Sequence, residues 1–359
     1  MKKTVLIALS ALVLASCSSD TQTGRSGSAK ETPVSPVGKR PVFDHSADSV
    51  AVGGFNANAN VQKFIAHETA SGKFSAGELQ SFFDGVIYKG NIINIMNRPG
   101  TSRPWYEFRT GNSGAARIAG GKRFYAQHQA TIDAVAKSYG VPAEIIVAII
   151  GIETNYGTNM GSFRLADSLS TLAFDYPRRA EFFQKELHEF LLMAKEEKRD
   201  VFGFKGSYAG AMGMPQFMPS SFRKYAVDYD GDGHRDIWNN IGDVAASVAN
   251  YMKAHGWQTN GKMVVPVTLT ITQELQNIID EKTALTRTVG DLKRLGVTPQ
   301  EVVDDNEKAV LYRLETAPGV YEYYIGLNNF YTVWQYNHSR MYVTAVRDIA
   351  NGVSGNYRL

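Results

Sequence analysis

The chain has 359 residues, 43% of them hydrophobic and 20% charged, which is enough apolar material for a sizeable folded core. Its formal charge is +3, and Lys2 and Lys3 supply two of those charges. No long basic run remains beyond them, so composition argues against a nucleic-acid-binding protein.

The first sixteen residues have a leader's organisation. Lys2 and Lys3 precede an apolar run from Val5 to Leu14, and the small residues Ala15 and Ser16 follow. Residues 1–16 therefore read as a secretory signal peptide, its apolar run too short to span a bilayer. Cys17 is the only cysteine, so no internal disulfide is possible and the thiol of an exported chain needs another purpose. Leu14-Ala15-Ser16-Cys17 resembles the lipobox of bacterial lipoproteins, which implies acylation of Cys17. Each buried acyl methylene is worth ~0.8 kcal/mol of anchoring. Ser18, where Asp would be the retention signal, resembles an outer-membrane address. The expected location is lipid-anchored at the outer membrane, facing the periplasm. Ser18 to about Val42 is Ser, Thr, Gly, Lys and Pro with few apolar residues. Residues 17–48 are thus expected to form a lipidated, flexible tether.

Helical signals begin near Asn60, where Val61, Phe64 and Ile65 have helical spacing. Ser75-Ala76-Gly77-Glu78 forms a capping box ahead of Leu79, Phe82, Phe83, Val86 and Ile87. A further helix is expected from Phe124 to Tyr139, closed by Gly140, so that 49–140 forms an N-terminal helical region. Val141-Pro142 opens the next helix, with Pro142 suited to its first turn. More helices are expected over Arg178 to Lys198 and Ile241 to His255.

The stretch from Ala143 to Tyr156 reads AEIIVAIIGIETNY. A helix so apolar on every side belongs in a core. Glu153 lies at its C-terminal end, on the face of Ile149 and Ile150. Desolvation and the negative end of the helix dipole both disfavour its anion, so a carboxyl there should stay protonated near neutrality, as a general acid must. A frayed helix end with Glu153 in solvent is the competing reading of the same pattern.

Asp228-Tyr229-Asp230-Gly231-Asp232-Gly233-His234 matches the first half of an EF-hand loop: carboxylates at positions one, three and five, glycine at six, and a carbonyl from His234 at seven. Position twelve is Asn239 rather than Glu, and Asp243 is a later carboxylate. An Asx-rich turn without metal is the alternative, against which the mutual repulsion of four aspartates weighs. The seven histidines show no paired metal spacing.

After Gly256 the character changes. Val264 to Ile271, Val310 to Leu314 and Tyr321 to Ile325 are β-branched or aromatic and alternate. Short helices are expected between them at Glu274 to Leu285 and Val289 to Leu295. Residues 258–330 form a small α/β module, and 331–359 a C-terminal segment with a last helix over Met341 to Ala350. The fold class is mainly α (α+β).

Three blocks carry a family likeness. Gly151-Ile152-Glu153-Thr154-Asn155-Tyr156-Gly157 resembles the catalytic-helix motif of lytic transglycosylases, the lysozyme-like enzymes of peptidoglycan. The segment from Gly206 to Phe222, GSYAGAMGMPQFMPSSF, resembles the glycine- and methionine-rich segment facing that glutamate. Tyr336-Asn337-His338-Ser339-Arg340-Met341-Tyr342 resembles the C-terminal block of one membrane-bound branch. The blocks occur in the family's order.

The resemblance implies a lysozyme-like catalytic core at 141–257, with the C-terminal segment returning to the cleft. It implies cleavage of the β-1,4 bond between N-acetylmuramic acid and N-acetylglucosamine by Glu153 alone, giving a 1,6-anhydro sugar, whereas ordinary glycosidases need two carboxylates. Gln216, Ser207, Tyr336, Asn337 and Tyr342 are carried over as substrate contacts, and Arg178 and Arg179 as contacts to the peptide stem or lactyl group. A longer acidic loop occurs in the family, so a structural calcium ion is expected on Asp228, Asp230, Asp232, the His234 carbonyl and Asp243, with no catalytic cofactor. The implied partners are peptidoglycan strands, the membrane through Cys17, and cell-wall synthesis proteins. A hydrolytic muramidase and a non-catalytic wall-binding lipoprotein are the rival functions, because fold by itself does not separate them.

Overall fold

The computed structural model describes residues 50–98 and 103–355; the leader, the tether and Cys17 lie outside them. The described residues fall into two compact units, divided between Gly85 and Val86.

The first unit is helical: α1 (Val50–Gly53), α2 (Ala59–Ala70) and α3 (Ala76–Gly85). The Asn58 side chain starts α2 by accepting the Asn60 and Val61 N–H groups at 2.9 and 3.2 Å. The capping box forms as read from the sequence. Ser75 Oγ accepts the Glu78 N–H at 3.1 Å, and the Glu78 carboxylate accepts the Ser75 N–H at 3.4 Å. Phe55 and Phe64 meet Phe83 at centroid distances of 5.9 and 6.1 Å. Val86 and Ile87, expected to continue α3, do not.

The second unit begins with Val86 to Lys89, which belong to neither helix nor strand. Their backbone is taken by side chains of a helix further on: the Ile87 N–H donates to Asp167 Oδ1 at 2.9 Å and the Lys89 N–H to Thr171 Oγ1 at 3.0 Å. In chain order the elements are then α4 (Gly90–Met96), α5 (Trp105–Asn112), α6 (Ala115–Tyr139), α7 (Ala143–Thr154), β1 (Phe163–Arg164), α8 (Leu165–Asp175), α9 (Ala180–Glu196), β2 (Lys205–Gly206), α10 (Pro219–Tyr225) and α11 (Ile241–Ala254). The module follows as β3 (Val264–Thr268), α12 (Gln273–Asp280), β4 (Arg287–Thr288), α13 (Val289–Arg294), β5 (Thr298–Pro299), β6 (Lys308–Ala317) and β7 (Val320–Gly326). The chain ends with α14 (Asn328–Tyr336) and α15 (Arg340–Ser354).

Helix α7 is the centre of this unit. Ile145, Ile146, Ile149 and Ile150 are fully buried, each worth roughly 1.5–3 kcal/mol of transfer free energy. The helix packs against α6, α11 and α15. Pro142 precedes the helix as its N-cap, in extended conformation, rather than lying in the first turn. Gly140 closes α6 at φ 69°, as expected, but α6 starts at Ala115, nine residues before the sequence pattern suggests. Helix α8 has no clear sequence signature, because Asp167, Ser168, Ser170 and Thr171 disguise a helix that is almost wholly buried. The helix expected from Arg178 begins at Ala180, after a 3-10 turn at Pro177–Arg179.

The module's sheet is antiparallel in the order β4-β6-β7-β3-β5. Val265, Val267, Leu311 and Ile325 turn one face towards Leu275, Ile278, Val289 and Leu292 of α12 and α13. On the other face Tyr312 stacks on Tyr324 at 5.4 Å and on Phe330 of α14 at 4.8 Å, and Arg347 of α15 lies 5.4 Å from the Tyr324 ring centre.

Candidate active site

Glu153 is the penultimate residue of α7, two places before the helix ends in a left-handed turn. Asn155, Tyr156 and Gly157 have φ values of 52°, 61° and 81°, a conformation that costs non-glycine residues energy and persists only where packing imposes it. Here the Tyr156 hydroxyl donates to the Arg117 carbonyl at 2.7 Å. Its ring lies where a side chain on Gly120, Gly121 or Gly151 would have to be. Arg117 closes the arrangement by donating to the Gly151 carbonyl at 2.7 Å and to Asn155 Oδ1 at 3.0 Å.

The Glu153 side chain is half-buried. Tyr342, in the first turn of α15, donates its hydroxyl to Glu153 Oε1 at 2.7 Å. Burial pushes the carboxyl from 4.5 up to about 7, and the Tyr342 hydrogen bond opposes part of that rise. Burial and the nearby carboxyl hold the Tyr342 and Tyr336 phenols far above their ordinary range, so both remain protonated donors. The Tyr336 ring lies parallel to that of Tyr342 at 6.4 Å, and its hydroxyl donates to the Pro215 carbonyl at 2.5 Å. Tyr251 of α11 meets Tyr336 edge-on at 4.7 Å, and Phe217 lies 5.9 Å from Tyr336.

The segment from Gly206 to Phe222 is wound tightly beside the end of α7. β2 pairs with β1, and Met212 bridges both Gly206 and Phe217. Ser207 serves the winding: its N–H donates to the Ala211 carbonyl at 2.8 Å, and its hydroxyl accepts the Ala211 N–H at 3.0 Å. Gln216, at φ 52°, donates its amide to the carbonyls of Gly213 and Met160 at 2.9 and 3.3 Å. Thr154 ties the two pieces together by donating to the Met214 carbonyl at 3.1 Å.

Glu153, Tyr342 and Tyr336 are thus brought into one cluster, with Gln216 and Ser207 in the wound segment alongside. Asn337 caps α14 next to Tyr336. Arg178 is exposed in the 3-10 turn, and Arg179 lies over the Phe182 ring at 4.0 Å. Among the described residues, no hydrogen bond or ion pair joins either arginine to Glu153.

The family model described as "Transglycosylase SLT domain" matches residues 56–351. The membrane-bound lytic murein transglycosylase B of Escherichia coli K12 is 36% identical over 353 residues, 96% of this chain and 95% of that protein. The chain belongs to the lytic transglycosylase family.

Solved structures agree. The catenated lytic transglycosylase SltB1 of Pseudomonas aeruginosa superposes with a TM-score of 0.80 at 41% identity, over 83% of this chain and 98% of that one. The E. coli lytic transglycosylase Slt35, solved in complex with calcium, gives 0.75 at 37% identity, over 87% and 98%. P. aeruginosa SltB3, solved in complex with NAG-anhNAM-pentapeptide, gives 0.70 at 31% identity, over 81% and 78%. This transglycosylase therefore has the mainly helical, lysozyme-like fold expected of an enzyme acting on peptidoglycan.

In its acidic loop the carboxylate oxygens of Asp228, Asp230 and Asp232 lie within 4.8 Å of one another, a donor set suited to a hard cation. Asp228 also accepts the N–H groups of Gly231, Asp232 and Gly233 at 2.8, 3.1 and 2.9 Å. Asp243, expected to close the ligand set, lies at the start of α11 behind the loop. It is fully buried, and its oxygens accept the Tyr229 and Asp236 N–H groups at 2.8 and 2.7 Å, which ties both ends of the loop to α11. The His234 N–H donates to Asp232 Oδ1 at 2.8 Å, and its imidazole is exposed. Beyond the loop, the Ile237 carbonyl accepts the Met214 N–H at 2.9 Å and the Trp238 indole donates to the Lys205 carbonyl at 3.1 Å. The loop is thereby joined to the wound segment.

Sequence reasoning did not single out Arg117, Tyr251 or Asp243's backbone role. The Gly120-Gly121 pair, just ahead of the helix expected from Phe124, is a signal in the sequence that marks a close approach there.

Proposed function

We propose that this transglycosylase cleaves the β-1,4 bond between N-acetylmuramic acid and N-acetylglucosamine with Glu153 as its single acid and base. The observation that carries this reading is a half-buried carboxyl held near neutrality by burial and hydrogen-bonded to Tyr342. Protonated Glu153 donates its proton to the glycosidic oxygen as the bond to the muramoyl C1 breaks. The resulting carboxylate takes the proton of the muramoyl C6 hydroxyl, whose oxygen closes onto C1. A 1,6-anhydro sugar forms and no water is consumed. The substrate's own N-acetyl group stabilises the cationic centre. Asp167, the next acid along the chain, is engaged by Arg164 at 2.6 Å and by the Ile87 N–H at 2.9 Å, and this favours the reading over a two-carboxylate hydrolase. The anhydro sugar in the SltB3 complex supports it as well.

Tyr342 orients the acid. Tyr336, Asn337, Ser207 and Gln216 contact the sugars, while Arg178 and Arg179 meet the stem peptide at a distance from the acid. Digestion of purified sacculi, followed by mass spectrometry, tests the product. Muropeptides lighter by one water than their hydrolysed counterparts are expected from the wild type, and none from Glu153→Gln. Reducing ends in their place would assign a hydrolase, and an inactive wild type a binding protein.

Calcium is assigned a structural role, held by Asp228, Asp230, Asp232, the His234 carbonyl and Asp243, whose oxygens also accept the Tyr229 and Asp236 N–H groups at the two ends of the loop. Slt35 with calcium supports this. The chain is further assigned to the periplasm, anchored to the outer membrane through acylated Cys17, with cell-wall synthesis proteins as partners. The relative's membrane-bound name supports the anchoring. Cys17→Ser should move the exported protein from the membrane fraction to the soluble one.

A further inference from the structure

Tyr342 reaches Glu153 only because α15 starts where it does, two residues earlier at Arg340. Two devices hold that start. The Ser339 hydroxyl accepts the Tyr342 N–H at 3.3 Å as an N-cap. Arg340 sends its whole guanidinium fork into the α/β module: Nη1 donates to the Ile279 carbonyl at 2.7 Å, Nη2 to the Glu281 carbonyl at 2.8 Å and Nε to Thr283 Oγ1 at 2.9 Å. Ile279 and Glu281 are at the C-terminal end of α12, where carbonyls lack intrahelical partners and the helix dipole is negative. A planar fork with donors in fixed directions meets these two carbonyls and the Thr283 hydroxyl at once, which a lysine ammonium does not.

We propose that Arg340 is the positioning residue through which the inserted α/β module sets the catalytic acid, by fixing the first turn of α15 and so the Tyr342–Glu153 hydrogen bond. It touches neither substrate nor acid. A displacement of α15 by about 1 Å is enough to break a 2.7 Å hydrogen bond and misplace the proton donor. This also gives the module, remote in sequence from Glu153, a task in the reaction.

The proposal rests on Glu153 as the acid, and a double-mutant cycle on soluble glycan strands tests it. Arg340→Met should lower kcat about tenfold with KM changed less than about twofold, because positioning and not binding is lost. Tyr342→Phe should do the same. The double variant should be no worse than about tenfold down, since both changes remove one interaction. Arg340→Lys should fall between wild type and Arg340→Met. If Arg340→Met fails to fold, Thr283→Val removes a single acceptor and should reproduce the pattern at about threefold.

Effects that multiply to about a hundredfold, a rise in KM with kcat intact, or a Thr283→Val enzyme with full kcat would overturn the proposal. Glu153→Gln, assayed alongside, separates the two levels. Turnover surviving in it removes the underlying assignment, whereas multiplying effects beside a dead Glu153→Gln remove Arg340's role alone.

Discussion

At the scale of one residue, the proposed acid Glu153 costs the fold stability. Its carboxyl titrates at about 7 in the folded chain instead of 4.5, so the folded state binds its proton more tightly than the unfolded state does. Below the ordinary carboxylate range the group costs nothing. As pH rises from 4.5 through about 7, the unfolded chain ionises first and stability is lost, to a limit of about 3 kcal/mol. Glu153→Gln removes the ionisation and keeps the shape. Denaturant unfolding should therefore show the variant up to about 3 kcal/mol more stable than wild type near pH 8, and about equal near pH 4. An equal difference at both pH values would mean that titration is not its source. Tyr342 pulls the other way, since its hydroxyl stabilises the anion. Tyr342→Phe should raise the Glu153 pKa and shift the alkaline limb of kcat/KM to higher pH, even as the rate falls. An unmoved limb would show that the hydrogen bond does not act on the reacting carboxyl.

At the scale of an element, the end of α7 is held by shape. Tyr156 occupies a left-handed backbone position that its own side chain disfavours, and the ring's place among Gly120, Gly121 and Gly151 offsets that cost. A methyl on Gly151 would lie 2.5 Å from the Tyr156 hydroxyl, and one on Gly120 2.7 Å from its ring. Gly151→Ala should thus destabilise the protein by about 1–3 kcal/mol through overpacking and lower activity with it. Gly111→Ala is the control. It lies in α5 with open space around the added methyl, and should be neutral or stabilising by up to ~1 kcal/mol. Similar midpoints for the two variants in denaturant titration would rule out the wedge.

At the scale of the whole catalytic unit, the acidic loop is a junction. Asp243 binds it to α11, the carbonyl of Ile237 binds it to Met214, and Arg235 pairs with Glu197 at 2.6 Å just past the end of α9. A cation held by the three aspartates would relieve their repulsion in the folded state only, and so stabilise it by linkage. Calcium removal is expected to lower the melting temperature by several degrees, as about 1–2 kcal/mol would in a unit of this size. The alkaline limb set by Glu153 should stay in place. A melting temperature insensitive to chelator would exclude the metal.

Much of this protein follows from local sequence. The apolar run of α7, the Ser75–Glu78 capping box, the left-handed Gly140 and the alternating strands of the module each depend on periodicity or on a few neighbouring residues, and each appears as read. Glu153 stood out because an ionisable residue at the end of an almost wholly apolar helix is a contradiction within ten residues. What tertiary structure decided was the identity of partners. Helix α8 hid behind its serines because their burial depends on what surrounds them. Residues 86–89 left the α3 helix because Asp167 and Thr171, some eighty residues on, offered better acceptors. Asp243 became a brace and Arg340 a clamp for the same reason. A side chain's chemistry is local, but its nearest oxygen is chosen by how distant segments pack, and no spacing along the chain records that.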